Sequence, residues 1–413
     1  MKIAFFTDAY LDITGGVRTA VEAQKKTLEA LGHTVYLFSP GFKRSDAKLK
    51  QLAKENIFIV PTCRLFIRGV LPTARRPHLV EKWILKQHPE IKEFDVFHVH
   101  YEAGCSIAGI RLAHQLKIPV VQTMHGREDV GLESLIPFGL RTFVGSALNR
   151  FHSWYLPHDV KVKKDNFLAP TRARAKMWSL MVNHANRADL VLTPSAHFKK
   201  KLIHYGVRRP VDVMPNGVAD AHFEDNVAVK TLSSDEPMRI IWHNRVNSEK
   251  RLSSFLEALR LTGGKYKMDV FGDGNELGKV RRMVERFNMP VKIHGATTFE
   301  ELIGKLRGSH LDVLTSYNYD TFGMTLIEAE AAGVPVFFCD PDMEEIAAPG
   351  GYVKSNGVDI EAMAASLKDL MEHPERIEKM SAAMLKHRDE VRQSARIQKL
   401  LAYYQDVIKK AAA

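Results

Sequence analysis

Cysteine is scarce: the 413 residues contain three, Cys63, Cys105 and Cys339, far apart and odd in number. That excludes a disulfide framework and every common zinc spacing, so the expectation is a reducing compartment and no bound metal. Long apolar runs are missing too. The segment around Phe143 is interrupted by Arg141 and Arg150, and no stretch reaches the roughly 18 uncharged apolar residues that a spanning helix needs. The apolar run within Met1 to Tyr10 is broken by Asp8 and lacks a small-residue cleavage site, so a mature cytoplasmic N-terminus is expected. Short repeats and low-complexity tracts are absent. What is present is 45% apolar residues over a length that suggests two or three domains of roughly 100–200 residues each.

Acidic residues are in deficit in one half only. Up to Pro215 there are 33 Lys and Arg against 18 Asp and Glu, whereas the remainder has 26 against 30. The net charge of +11 therefore resides in the first half, which suits an anionic partner such as nucleic acid, an acidic polymer or an anionic bilayer.

Short β-branched or aromatic runs alternate with amphipathic helical stretches, the pattern of βαβ units around a parallel sheet. Lys2–Phe6, Thr34–Phe38, Ile57–Val60, Val96–His98, Val120–Thr123, Leu190–Thr193 and Val211–Met214 read as strands of a first doubly wound domain, residues 1–215. Pro215-Asn216-Gly217 is a turn, and 216–238 reads as a linker, polar and unpatterned from Asp225 to Pro237. Strands then resume at Arg239–Trp242, Lys267–Phe271, Val291–Ile293, Leu311–Thr315 and Val334–Phe338, giving a second domain over 239–393 before a terminal helix in 394–413. The fold class is therefore α/β, two doubly wound parallel-sheet domains, with a ligand expected at the carboxyl ends of the strands.

Four places carry chemistry. Gly15-Gly16 lies between a strand and a helix, where backbone N–H groups and the helix dipole could meet a phosphate. Asn244-Arg245 and Glu249-Lys250 bring two cations out of one strand end, suited to a diphosphate. Gly272-Asp273-Gly274 is a tight turn at another strand end. Asp320-Thr321-Phe322-Gly323-Met324-Thr325-Leu326-Ile327-Glu328 spaces two carboxylates around a helix start, with the amides of Gly323, Met324 and Thr325 facing an anion. Each alone has a plain alternative: turn geometry, a solvated charge, a loop.

Together, in this order, these motifs resemble the retaining, nucleotide-sugar-dependent glycosyltransferases of family four, which have the two-Rossmann (GT-B) fold. The resemblance covers almost the whole chain, with the last helix similar to the one that crosses back onto the first domain. It implies that Arg245 and Lys250 hold the donor diphosphate, together with Gly15, Gly16 and the amides around Phe322, Gly323, Met324 and Thr325, with the turn at Gly272 and Gly274 beside them. Glu328 would bind the ribose hydroxyls. Asp320 stands where the family most often has Glu and would hold hydroxyls of the transferred sugar, and Asn244 stands where glycine is common. His125, in Thr123-Met124-His125-Gly126, matches the family histidine near the reacting sugar. The donor implied is UDP-glucose, used without a metal or other cofactor. Leaving-group stabilisation by the cations and helix amides suffices for that chemistry, without an enzymic nucleophile; a glycosidase-like carboxylate pair is the competing reading.

The acceptor is read from Ile136, Leu140, Phe143, Ala147, Phe151 and Trp154, which recur at helical spacing as one apolar stripe. Between Ser134 and Lys176 eight basic residues face only Asp159 and Asp165. Stripe and flank together describe an interfacial helix on an anionic membrane, weighed here ahead of ordinary core packing. Met124-His125-Gly126-Arg127-Glu128-Asp129 and Leu135-Ile136-Pro137 also resemble bacterial diacylglycerol glucosyltransferases. The expected activity is a glycolipid synthase, peripheral on the inner face of the plasma membrane, with a lipid acceptor and no nucleic-acid partner. The alternatives are a transferase for a soluble or polyprenyl-linked saccharide, a sugar-nucleotide epimerase, and a nucleic-acid-binding protein on an inactive scaffold.

Overall fold

Parallel strands need a crossover between them, and each short apolar run in this chain is followed by a helical stretch long enough to supply one. The computed structural model describes residues 1–8, 15–41, 45–63, 73–74 and 76–413. They form two units, Met1–Pro215 with Arg396–Ala413, and Asn216–Ala395. Ala9 and Tyr10, the end of the first apolar run, lie outside the described residues.

In the first unit the strands are β1 (Lys2–Phe6), β2 (Thr34–Ser39), β3 (Ile57–Ile59), the hairpin pair β4 (Thr62–Cys63) and β5 (Thr73–Ala74), then β6 (Val96–Val99), β7 (Val120–Thr123), β8 (Leu190–Thr193) and β9 (Val211–Val213). Seven of them make one parallel sheet in the order β3-β2-β1-β6-β7-β8-β9, and β4 pairs β5 antiparallel. The order reverses beside β1, which places the switch point between β1 and β6. Every residue of β1 after Lys2 is buried, as helices on both faces of a parallel sheet require. One face is covered by the terminal helix Gln393–Ala412, whose Ile397, Leu400, Tyr404 and Val407 pack with Ile3, Phe5, Val21 and Leu192. The Tyr404 hydroxyl reaches through that layer to His98 Nδ1, 2.5 Å away.

The second unit has β10 (Met238–His243), β11 (Tyr266–Phe271), β12 (Val291–Gly295), β13 (Leu311–Leu314), β14 (Val336–Phe338) and β15 (Tyr352–Lys354), all parallel, in the order β12-β11-β10-β13-β14-β15. β15 is absent from the sequence reading: its three residues follow Gly350-Gly351 and carry too short a pattern to register. The segment read as a linker belongs to this unit's own packing. Val218 exchanges backbone hydrogen bonds with Val391 and Gln393, both 2.8 Å, and Lys230 N donates to Ser381 Oγ.

The expected helical stripe from Ile136 to Trp154 is not one continuous helix. One helix spans Glu128–Leu135, a 3-10 turn Phe138–Leu140 follows, and a second helix runs Arg141–Tyr155. Pro137 breaks the path because it lacks an N–H and restrains the residue before it. Ile136 consequently turns into a cluster with Leu132, Met177 and Leu180, against which Val144 of the following helix also packs. Among the described residues no helix is long and apolar enough to cross a membrane.

Candidate active site

In the second unit the loops after β10, β11 and β13 meet at the carboxyl edge of the sheet. Gly272 has φ +132°, and a Cβ there would stand 1.9 Å from the Asn244 carbonyl oxygen. Glycine is therefore what lets the turn after β11 lie against the loop carrying Asn244 and Arg245. Gly274 does the same against Val246, whose N–H donates to the Asp273 carbonyl at 2.9 Å. The loop is tied across to the helix Met324–Ala331 by Asn244 Nδ2, 3.2 Å from Thr325 Oγ1.

That helix starts from Gly323, at φ +67°, a conformation and a closeness to Leu314 that exclude a side chain. Its first N–H groups, at Met324 and Thr325, have no acceptor within the helix and so present the positive end of its dipole. Phe322 turns its ring into an apolar cluster with Val218, Ile327 and Val391, which leaves its backbone at the helix start. Lys250 Nζ lies 2.7 and 2.9 Å from the two oxygens of Asp320, and Ser316 Oγ donates to the same carboxylate. Arg245 is half exposed and donates from Nη2 to the Tyr319 hydroxyl at 2.7 Å. Glu328 is buried one turn into the helix; burial raises its pKa and the neighbouring His243 opposes that rise. The unit thus brings together Arg245, Lys250, Gly272, Gly274, Asp320, Phe322, Gly323, Met324, Thr325 and Glu328. His243, Asp312, Ser316 and Tyr319, which the sequence reading passed over, stand among them.

In the first unit Gly15 caps the helix Gly16–Ala30 in extended conformation, and a Cβ there would meet nothing within 4 Å. Among the described residues, Gly15 thus leaves room at this helix start rather than relieving a close contact. His125 follows β7 and is buried with its Nε2 3.1 Å from His100 Nδ1. Burial pushes His125 down to about 4, so at neutral pH it is an uncharged imidazole that can donate from one nitrogen and accept at the other. His98 and His100, also buried, have pKa values lowered chiefly by burial. The Phe97-His98-Val99-His100 run, which carries β6 to its end and one residue beyond, is the sequence signal for this histidine pair. At the same edge Asp8 accepts from Cys105 N, Ser106 N and Ser106 Oγ at 2.8, 3.0 and 2.7 Å, holding the start of the helix Gly104–Leu116. Arg127 and Asp129 form a fully buried pair at 2.7 Å.

On another face of this unit Phe138 is 82% exposed, Phe143 74% and Trp154 67%, with Leu140 and Leu148 beside them in the chain. Arg141 lies over the Phe138 ring and Arg150 over the Trp154 ring, at 5.6 and 5.7 Å from the centroids. Lys161, Lys163, Lys164 and Arg172 are exposed as well. Core packing does not describe these residues, but it does describe Ile136 and, in part, Phe151, which packs against this unit's core.

A glycosyltransferase family 4 model matches residues 14–222, and a glycosyl transferases group 1 model matches residues 224–387. The chain belongs to glycosyltransferase family 4. Among its curated relatives are the alpha-monoglucosyldiacylglycerol synthases of Streptococcus pneumoniae, 24% identical over 356 residues that cover 81% of this chain and 70% of that one, and of Acholeplasma laidlawii, 23% identical over 350 residues covering 81% and 79%. Among solved structures, Anabaena HepE in complex with UDP and glucose superposes with a TM-score of 0.67 at 16% identity, over 98% of this chain and 100% of that one. Sucrose-phosphate synthase from Thermosynechococcus elongatus gives 0.70 at 14% identity, over 99% of each. These likenesses show the fold, GT-B, with its two parallel-sheet units and its terminal helix returned to the first. In this glycosyltransferase the motif residues expected to serve the donor's nucleotide and sugar converge within the second unit, while Gly15, Gly16 and His125 sit on the first.

Proposed function

We propose that the chain is a retaining glycosyltransferase that moves glucose from UDP-glucose onto a membrane lipid acceptor such as diacylglycerol, peripheral on the cytoplasmic face of an anionic membrane. The observation that carries the acceptor class is the exposed Phe138, Phe143 and Trp154 beside an exposed basic flank, a surface that is costly in water and favourable at a lipid interface. The two glucosyldiacylglycerol synthases among the relatives support the same class.

Arg245 and Lys250 supply positive charge, and the amides of Met324 and Thr325 supply oriented dipoles, where a departing diphosphate accumulates negative charge. Glu328 accepts hydrogen bonds from the ribose hydroxyls, and Asp320 from hydroxyls of the hexose. The anomeric carbon–oxygen bond to the diphosphate breaks while the acceptor oxygen bonds the same carbon from the same face, and the acceptor's proton passes to a phosphate oxygen. Neutral His125 contributes a hydrogen bond rather than proton transfer, consistent with its depressed pKa. Nothing in this scheme requires a metal. Asp320 is one methylene shorter than the usual glutamate, so selectivity among hexoses is the property most open to change.

The test is incubation of the purified protein with radiolabelled UDP-glucose, UDP-galactose or UDP-GlcNAc and diacylglycerol in anionic micelles. Label in the lipid phase from UDP-glucose is expected. Donor consumed with all label in water points to a soluble saccharide acceptor, and donor left intact removes the reading.

A further inference from the structure

β10 ends on His243, and β13 pairs beside it with Asp312 opposite Ile241, so an imidazole and a carboxylate meet inside the sheet. His243 Nε2 is 2.8 Å from Asp312 Oδ2, and on the other edge of the ring Nδ1 is 3.5 Å from Glu328 Oε2. All three side chains are buried, Asp312 completely, with its second oxygen accepting from Val313 N at 2.7 Å. A neutral imidazole has one N–H and can donate to one carboxylate only. Two carboxylates on opposite edges, one hydrogen-bonded and one at ion-pair distance, favour the imidazolium over the neutral ring. Burial alone would lower the His243 pKa; the charge and hydrogen bond of Asp312, followed by Glu328, outweigh burial and the opposing Lys250 and raise it.

Packing does not demand this arrangement. The neighbours of Asp312 along and across the sheet, Leu311, Val313 and Ile241, are buried apolar residues, and a buried ion pair is commonly replaced by apolar side chains at no loss of stability. A completely buried aspartate in such a run is therefore explained by what its histidine faces. We propose that His243, backed by Asp312, is a positioning residue of the nucleotide site, fixing the Glu328 side chain so that it accepts hydrogen bonds from the adjacent hydroxyls of a nucleoside diphosphate. The proposal rests on the ribose-binding reading of Glu328 given above. His243 itself touches no ligand; it acts through the carboxylate.

The experiment is calorimetric titration of the full chain with UDP, GDP and ADP, then with the 2′,3′-dideoxy form of whichever binds. The variants are Glu328→Ala, His243→Gln, and His243→Leu combined with Asp312→Val. His243→Gln keeps a donor toward Asp312 and loses the one toward Glu328, while the double variant replaces the pair with apolar residues. The wild type is expected to prefer the hydroxylated ligand by about tenfold or more, as a charge-assisted hydrogen-bond pair warrants. Both His243 variants should lose most of that preference and change affinity for the dideoxy ligand less than about twofold. Retained preference in both His243 variants, alongside its loss in Glu328→Ala, overturns the positioning role. Retained preference in Glu328→Ala, or no nucleotide bound at all, overturns the ribose reading and the proposal with it.

Discussion

Lys250 and Asp320 form one largely buried ion pair, Nζ to carboxylate at 2.7 and 2.9 Å, with the Tyr319 ring 5.2 Å from the ammonium. The family resemblance gives them separate duties, one on the diphosphate and one on the sugar, yet here each is the other's main polar partner. The pair also joins the loops after β10 and β13. Lys250→Ala is expected to cost roughly 3 kcal/mol of stability, since it leaves a buried carboxylate uncompensated, as well as to abolish transfer. Lys250→Ala with Asp320→Ala should recover much of the stability and none of the activity. Chemical denaturation of both variants checks this, and equal losses in single and double variants would show that the two residues are not coupled.

Gly272→Ala is expected to destabilise the second unit by about 2 kcal/mol or more. Its φ of +132° disfavours any side chain, and the added Cβ would fall 1.9 Å from the Asn244 oxygen, so the Asn244–Arg245 loop must move. The check is a denaturant midpoint together with nucleotide affinity. An unchanged midpoint would mean that the turn relaxes freely and that glycine is not required there.

Acid should act through the first unit's buried histidines. His125 and His184 are pushed down by burial to about 4 and about 3, below the ordinary value of 6.5, so the unfolded chain takes up protons first as pH falls. Their contribution to stability is complete above pH 6.5 and is lost between there and the folded-state values, each with a limiting slope of about 1.4 kcal/mol per pH unit. Asp8 and Glu102, whose pKa values burial raises, Glu102 well above the ordinary carboxylate value, act in the opposite sense. A difference measurement isolates one histidine: His125→Gln keeps a group at the Nε2 position but cannot titrate. Its stability should fall less steeply than the wild type's between pH 6.5 and about 4, and parallel curves would contradict the buried neutral state.

The sheets were largely legible because each strand that both faces cover must be almost wholly apolar, and runs such as Val120–Thr123 and Leu190–Thr193 have no other stable use. Three-residue β15 escaped since its pairing comes from β14 beside it rather than from its own pattern. The donor motifs were legible as local strand-to-helix turns. What joins them was not: His243 and Asp312 are 69 residues apart, and only the β10–β13 pairing brings them together. An aspartate inside the run Leu311–Leu314 was the visible clue, a charge where a buried strand tolerates none without a partner. The apolar stripe erred for a local reason, since Pro137 was in plain view and a helix cannot run through it without disruption.

That same break leads to the prediction with the most bearing on the acceptor. Beyond Pro137 the chain presents Phe138, Phe143 and Trp154 to solvent while Gly145 and His152, on the opposite side of the helix Arg141–Tyr155, are buried. Replacing exposed aromatic residues costs the fold little, because surface positions change stability by about 0.5 kcal/mol or less. Removing apolar area from an interfacial helix costs roughly 1.5–3 kcal/mol per fully inserted side chain, and each basic residue near anionic lipid adds about 1 kcal/mol. Phe138→Ser with Phe143→Ser should therefore lower partitioning onto vesicles containing phosphatidylglycerol by about tenfold or more at unchanged melting temperature. Lys161→Glu, Lys163→Glu and Lys164→Glu together should abolish it on anionic vesicles, with neutral vesicles as the baseline. Co-sedimentation measures both sets. If both leave vesicle binding intact, this face is ordinary surface and the lipid acceptor loses its structural support; if the charge variants alone matter, adsorption is electrostatic and the aromatic residues do not insert.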